Sequence, residues 1–475
     1  MWQTDGKKEK ESQTMNQIQA NIRVLSDDEI VRIHNTSIRI LSKIGLHVPN
    51  ETVCGMAQKL GAKADGETVR IPAEALEPIL ALARAGDHAF AASGQTVRKI
   101  SGNVSTQIFV FDEQTGTRRQ GTMQDVRDGI ALIEGLPNIA RSNAVVVPSD
   151  VPMPDLLSFR EIYKHARKDG GTYILSDRSA PYILQMAQVM GRTVSYLLDT
   201  VSPLGFTRES LEIALQFAAA GMPLDMTPLV MAGSTAPVTL AGALAQQNAE
   251  VLGSLFIIYA MTGKIAKYVG SAHSNDLMHS MMCSFGSPNQ ALFGIATAQM
   301  AAFYGLTSGS NSGLTDALYP DFQAGFEKSF SAVCSVLAGS DAIGGQGIVG
   351  ADQGFSFAQL VLDDAWLDAF NYTLQGFTVD EDTLGFETIE EVGIGGNFLS
   401  EWHTVEYMRA SWWKHDLFPR QTFQDGEPIQ TARQRAQERA QAIIAENRTD
   451  EPVIDGAQCA MLDKIVQDAL DHLDA

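Results

Sequence analysis

A repeating period constrains this chain more than any other feature. From about residue 140, short apolar runs alternate with longer stretches of helical spacing. NAVVVPSD, GTYILSD, TPLVMAGSTAP and AKYVGSAHS are such runs, and each is followed by apolar positions recurring every three or four residues. Runs that are apolar throughout belong to strands covered on both faces, and a strand–helix series makes those strands parallel. Seven units can be followed, and an eighth is marked weakly by EEVGIGGNF. A series of that length favours an α/β fold closed as a (β/α)8 TIM barrel over an open, doubly wound sheet. No Gly-x-Gly-x-x-Gly opens a helix after the first strand, which weakens a dinucleotide-binding reading.

The flanking segments read differently. Ser26 and Glu29 have capping-box spacing, and Ile30, Ile33, His34, Ser37, Ile38 and Leu41 follow at helical spacing, with Gly45 closing the helix. A second helix is expected near 51–60, then a short strand in GETVRIPAE and another helix from Pro72. VSTQIFVFDEQTGTRRQGT reads as a hairpin about a Gln-Thr-Gly turn. After residue 425 the Gln- and Ala-rich IQTARQRAQERAQAIIAENR suggests an amphipathic helix, with a last helix from about Gln458. The expected organisation is a flexible arm over 1–24, an N-terminal helical and hairpin region over 25–140, the barrel over 141–425 and a helical tail over 426–475.

Charge limits the partners. The chain has 56 Asp and Glu against 35 Lys and Arg, a net −21, which repels phosphate backbones and anionic membranes. We therefore expect neither nucleic acid nor membrane as a partner. The longest apolar stretches fall short of the roughly 18 residues that span a bilayer. Four cysteines without CxxC spacing suit a reducing compartment, and the polar amino terminus lacks the apolar stretch of a signal peptide. A cytoplasmic location is the expectation.

In a barrel of this kind, the loops after the strands build the site. Here they are rich in Ser, Thr, Asn, Gln, Gly and aromatic residues and poor in charge. Ser271 and His273, then Asn311 and Asp316, then Gln346, Phe355 and Phe357 stand after successive strands. Turn and capping roles account for many of these. As a set, an aromatic pocket with few formal charges suits a cation whose charge is spread over methyl groups. Phe355, Phe357, Tyr319 and Trp366 are the candidate walls. His273, His279 and Cys283 have H-x5-H-x3-C spacing, a weak zinc pattern. Gly395, Gly396 and Asn397, with His403 downstream, form a backbone nest or a turn.

Several long strings, in order, resemble the trimethylamine methyltransferase superfamily over about residues 25–420. They are LSDDEIVRIHNTSIRILSKIGLHV, FDEQTGTRRQGTMQDVRDGIALIEGLPNI, STAPVTLAGALAQQNAEVL, SGLTDALYPDFQAGFEK and VGIGGNFLSEWHTVEYMR. That family comprises barrel enzymes that move a methyl group to a corrinoid protein. Trimethylamine members carry pyrrolysine, which aligns near Leu318, and this chain has ordinary residues there, so it resembles the non-pyrrolysine branch. That branch is implicated in demethylating quaternary amines such as glycine betaine, proline betaine, carnitine or γ-butyrobetaine.

The chemistry agrees with the loss. Attack of cob(I)alamin on a methyl of R–N(CH3)3+ expels a neutral tertiary amine, so positioning and desolvation suffice and no catalytic side chain is required. The resemblance implies a glycine betaine:corrinoid methyltransferase giving dimethylglycine, a corrinoid carried by a partner protein or free, no tightly bound metal, and a homo-oligomer. Phe355 and Phe357, with Tyr319 or Trp366, would line the trimethylammonium side. Gln346, His403 and His273 would hold the carboxylate, with Asn311 and Gln323 as further polar contacts. A zinc-dependent methyltransferase and a barrel that only binds a betaine remain as alternatives.

Overall fold

Helices begin where the sequence supplies a cap. Ser26, Asn50, Thr122, Thr207, Thr239, Asp321, Ser356 and Thr431 each accept, through the side chain, the backbone N–H three residues on. Each such bond satisfies a donor that the helix leaves free and is worth about 1 kcal/mol. The computed structural model describes residues 18, 22–86, 99–423, 426 and 428–473. Most of the arm expected at 1–24 therefore lies outside the described residues.

The architecture is α/β. Short parallel strand pairs join Tyr196–Leu197 to Leu224–Asp225, Val230–Ala232 to Ala272–Asn275, Tyr268–Gly270 to Ser308–Ser310, and Ser308–Ser310 to Ala342–Ile343. Single bridges join Gly102 to Ile139, Gln107 to Val146 and Thr200 to Pro228, all parallel. Ser142 and Ala144 donate backbone bonds to the carbonyls of Asp169 and Gly171, and Gln346 donates to that of Asn103. No strand pairing among the described residues joins 172–175 to 194–197, and the pairings form separate small sheets rather than one closed sheet.

Two expectations change. EEVGIGGNF is not a strand: it forms the end of the Phe386–Val392 helix and then turns, with Gly393 and Gly395 at φ of 62° and 80°. Positive φ at both glycines breaks an extended run. Residues 104–107, expected as the start of the hairpin, instead run with 102–103 beside 139–147. The hairpin itself is Phe109–Asp112 with Thr117–Gln120, its turn fixed by the Asp112 carboxylate accepting from Gln114 and Thr115 N–H.

The Leu240–Thr262 helix is buried on nearly all sides. The Asp27–Lys43 helix packs on it, with Ser37 Oγ donating to the Ala245 carbonyl at 2.8 Å. A Cβ at Gly253 would sit 2.4 Å from Leu46 Cδ1, so glycine is needed for this approach. The tail helix Ala432–Asn447 buries Ala436, Ala440 and Ile443 against the Met123–Glu134 and Phe357–Gln375 helices. Gly456–Leu473 buries Leu462 and Val466 and packs against Ala180–Met190. Among the described residues no helix is long and apolar enough to cross a membrane.

Candidate active site

The glycine-rich turn after Ala342–Ile343 organises the site. Gly345, Gly347 and Gly350 have positive φ, and Ala351 and Asp352 follow at 52° and 67°. Two successive non-glycine residues in the left-handed region cost energy, and such strain survives only where neighbours hold it. Here Gly350 N–H bonds the Ala317 carbonyl at 2.7 Å and Ala351 N–H that of Thr315 at 2.8 Å. From below, the Lys328 ammonium donates to the carbonyls of Gly345 and Ile348 and pairs with Asp363 at 3.2 Å. Asp363 in turn accepts from Gly347 N–H at 2.7 Å and from Trp366 Nε1 at 2.9 Å. Both members of this ion pair are fully buried.

The turn delivers the Asp352 carboxylate to Gln107, whose Nε2 donates to it at 2.6 Å. Gln107 is buried at the end of the 102–107 stretch, while Asp352 is open to solvent. Tyr173 and Asp199 line a cavity of about 590 Å³ together with Asn103, Asn143, Thr172 and Asp225. Surrounding protein raises the Tyr173 phenol's pKa, and the charges of Asp199 and Asp352 each raise it further. Burial pushes Asp199 up to about 7, against a lowering hydrogen bond from the Thr227 backbone. Its Oδ1 has no hydrogen-bond partner. Although Asp352 is open to solvent at its surface, the protein crowded around its carboxyl raises its pKa, with the Gln107 bond opposing. All these groups stand at or after the ends of parallel segments, where sites form in such folds.

An adjoining cavity of about 490 Å³ is lined by Asn275, Met282, Cys283, Asp316, Ala351 and Gln353, among others. Burial, then Asp316 and Asp352, push the Cys283 thiol up to about 12, so it stays protonated near neutrality. Asp316 braces this wall, accepting from Ser284 Oγ and Phe285 N–H, each at 2.6 Å.

The residues expected from the sequence are dispersed. Phe355 is fully buried, its ring edge-on to Phe357 and against Gly347, so it packs in the core beneath the turn. Trp366 is partly buried against Asp363. Gln346 is fully buried, and its Oε1 accepts from Asn103 N–H at 2.6 Å. His273 and Asn311 do come together, around Ser271 Oγ. His273 is fully buried, held at both ring nitrogens by Ser271 and Gln290, and burial lowers its pKa to about 4. It is neutral near pH 7, and its neighbours in the zinc spacing are elsewhere: His279 is exposed on Asp276. Among the described residues no three His, Cys, Asp or Glu side chains are grouped to hold a metal ion.

Tyr319 is exposed and stacks on Phe111, and both rings face the Arg433 guanidinium, at 5.3 and 5.5 Å. The chain's own cation thus occupies that aromatic pair. Gln323 bonds Glu327 at the start of the Phe322–Leu337 helix. His403 lies on the outer segment after Gly376, its Nε2 donating to the Asp382 carbonyl at 3.1 Å. The sequence reading missed Tyr173, Asp199, Asp352 and Gln107. A signal was present for two of them: GTYILSD and SYLLDT each carry a polar residue inside an otherwise apolar run.

Comparison with known proteins gives these residues a setting. The family model for trimethylamine methyltransferase (MTTB) matches residues 3–469. The glycine betaine methyltransferase of Desulfitobacterium hafniense (strain Y51) is 28% identical over 455 residues, 91% of this chain and 94% of that protein. The trimethylamine methyltransferase MttB of Desulfitobacterium hafniense (strain DSM 10664 / DCB-2) is 27% identical over 407 residues, covering 81% and 82%. The solved Methanosarcina barkeri monomethylamine methyltransferase (MtmB) aligns with 77% of this chain and 84% of its own at 9% identity, with a TM-score of 0.42, a likeness that leaves the fold to be argued from the strand pairings. With its model matched over nearly the whole length, the chain belongs to the trimethylamine methyltransferase family.

Proposed function

We propose that this chain demethylates a quaternary amine, glycine betaine first, by passing one methyl group to cob(I)alamin held by a partner corrinoid protein or supplied free. The observation that carries the reading is the Asp199 carboxylate, which lines the cavity with the Tyr173 ring while its Oδ1 has no hydrogen-bond partner among the described residues. A trimethylammonium group offers no N–H, so only charge and ring faces can hold it. Asp199 Oδ1, without a partner, supplies that charge inside the cavity. Tyr173, on the wall of this cavity, is 40% exposed, which leaves its mouth open to an approaching macrocycle. The corrinoid supplies the low-valent cobalt nucleophile, and the side chains orient the C–N bond and exclude water from it. Arg118, whose Nη1 reaches Gln353 Oε1 at 3.4 Å, is our choice for the substrate carboxylate.

The barrel belongs to the same reading. Backbone bonds and bridges link 194–200, 224–232, 268–275, 308–310, 342–346, 102–107, 139–147 and 169–171 in that order, and the step from 169–175 to 194–200, which no pairing joins, would close the ring. Eight parallel segments with intervening helices fit a (β/α)8 barrel whose eighth member is the 102–107 stretch.

The test is a panel of glycine betaine, proline betaine, carnitine, γ-butyrobetaine and trimethylamine, each incubated with enzyme and cob(I)alamin. Dimethylglycine from glycine betaine, read by mass spectrometry and by decay of the cob(I)alamin absorbance, is expected. Asp352→Asn should raise the KM for the amine at least tenfold. Demethylation of none of the panel, with glycine betaine still bound by calorimetry, would leave a betaine-binding protein instead.

A further inference from the structure

Glu250 is a buried carboxylate without a counter-ion. It sits on the Leu240–Thr262 helix with none of its surface exposed, and among the described residues no ion pair reaches it. Neutral donors hold it instead. Its Oε2 accepts from Thr200 Oγ1 and Ser202 Oγ, each at 2.7 Å, and its Oε1 accepts from Leu204 N–H at 3.1 Å and Gln246 Nε2 at 3.0 Å. Gln246 Nε2 also donates to the Thr235 carbonyl at 2.6 Å. One side chain therefore ties together the turns after two neighbouring parallel segments, 194–200 and 224–232. Leu204 stands in the left-handed region at φ of 59°, a conformation that survives only where neighbours hold it. Yet a loop anchor alone needs no charge, and burying one among neutral donors is costly. What a carboxylate adds is that it accepts at every lone pair and donates nothing, so it can claim several donors at once. Two of those claimed here are the hydroxyls that follow Asp199 most closely in the chain, and Asp199 Oδ1 is left without a hydrogen-bond partner.

We propose that Glu250 is a positioning residue for recognition of the substrate's positive charge: by holding the Thr200 and Ser202 hydroxyls, it keeps the Asp199 carboxylate bare toward the cavity. The inference rests on the reading of Asp199 as the group that attracts the ammonium. Aspartate readily bonds hydroxyls and N–H groups a few residues along its own chain. With Glu250 neutralised, both hydroxyls become free to turn to Asp199, and a carboxylate that already accepts two hydrogen bonds attracts a cation less. Glu250 is not one of the residues that line the cavity, so its loss leaves the shape of the pocket and changes only how the pocket distinguishes charge. The effect belongs to binding, and the methyl transfer of an amine already bound is untouched.

Calorimetry with two ligands of one shape tests this. Glycine betaine carries the quaternary nitrogen, and the anion of tert-butylacetic acid, (CH3)3C–CH2–COO−, carries carbon in its place. The unaltered protein should prefer betaine by about tenfold or more, the scale of one close charge contact. Glu250→Gln should lose most of that preference while still binding tert-butylacetate as before, and in turnover with cob(I)alamin it should raise KM and keep kcat. Adding Thr200→Val and Ser202→Ala to Glu250→Gln removes the hydroxyls that would turn to Asp199, and should restore the preference. Glu250→Asp, too short to reach both hydroxyls, should show a smaller loss, and it decides the matter if Glu250→Gln does not fold by circular dichroism. Equal weakening of both ligands in either folded variant, or a lost preference that removing the hydroxyls does not restore, would overturn the proposal. An unaltered protein without the preference, or one whose preference survives Asp199→Asn, would instead remove the reading of Asp199 on which it rests.

Discussion

Asp199 carries a conflict between folding and binding. Its carboxyl has a pKa of about 7, raised by burial, so in the folded chain it holds a proton over a range where the unfolded chain has lost it. The unfolded value is near 4. Stability from this group is therefore complete below about pH 4 and declines as pH rises to about 7, where both states become ionised. Cation binding has the opposite sign, since only the carboxylate attracts the ammonium. Asp199→Asn should be more stable than the parent at pH 8 by roughly 1–3 kcal/mol, measured by urea unfolding, with the gap closing toward pH 4. The same variant should lose the tightening of amine binding that the parent shows between pH 6 and 8. An unchanged pH profile would remove Asp199 from the site.

At the scale of elements, the strained turn at 350–352 rests on the Phe322–Leu337 and Phe357–Gln375 helices through Lys328 and Asp363. Burial lowers the lysine's pKa and raises the aspartate's, and in each the charge of the other opposes the shift. Removing one partner leaves an uncompensated buried charge. Lys328→Met should cost about 3–5 kcal/mol by denaturant unfolding, and Lys328→Met with Asp363→Asn should recover part of it. A double variant as unstable as the sum of the single ones would show that the pair is not coupled. The helices were legible because capping residues and spacing are local: Ser26 with Glu29 and Thr239 ahead of Leu240 announce their own starts. The parallel segments were legible where they are apolar, as at Val230. The 102–107 stretch was not, because Asn103, Ser105 and Gln107 interrupt its apolar residues on the side that lines or borders the site. The aromatic residues chosen for the pocket share its neighbourhood in sequence, but whether a ring faces core or cavity depends on the turn at 347–352, which no local pattern encodes.

Over the whole molecule, the ends of the chain hold the middle together. The two C-terminal helices bury Ala436, Ala440, Ile443, Leu462, Ile465, Val466 and Ala469, on the order of 8–10 kcal/mol of apolar burial. Arg433 carries the same packing toward the mouth, bonding Glu113 at 3.1 Å and facing Phe111 and Tyr319. A chain ending at residue 430 should melt at least 10 °C lower, by differential scanning fluorimetry, and aggregate at 37 °C; an unchanged melting temperature would mean these helices are accessory. The 377–412 stretch has a different consequence. With no buried residue from 375 to 416, it adds little to what holds the fold, so it should be the first part to open on warming. A protease would cut there before it reached the packed helices, and the two pieces would stay joined through Ala436, Ala440 and Ile443.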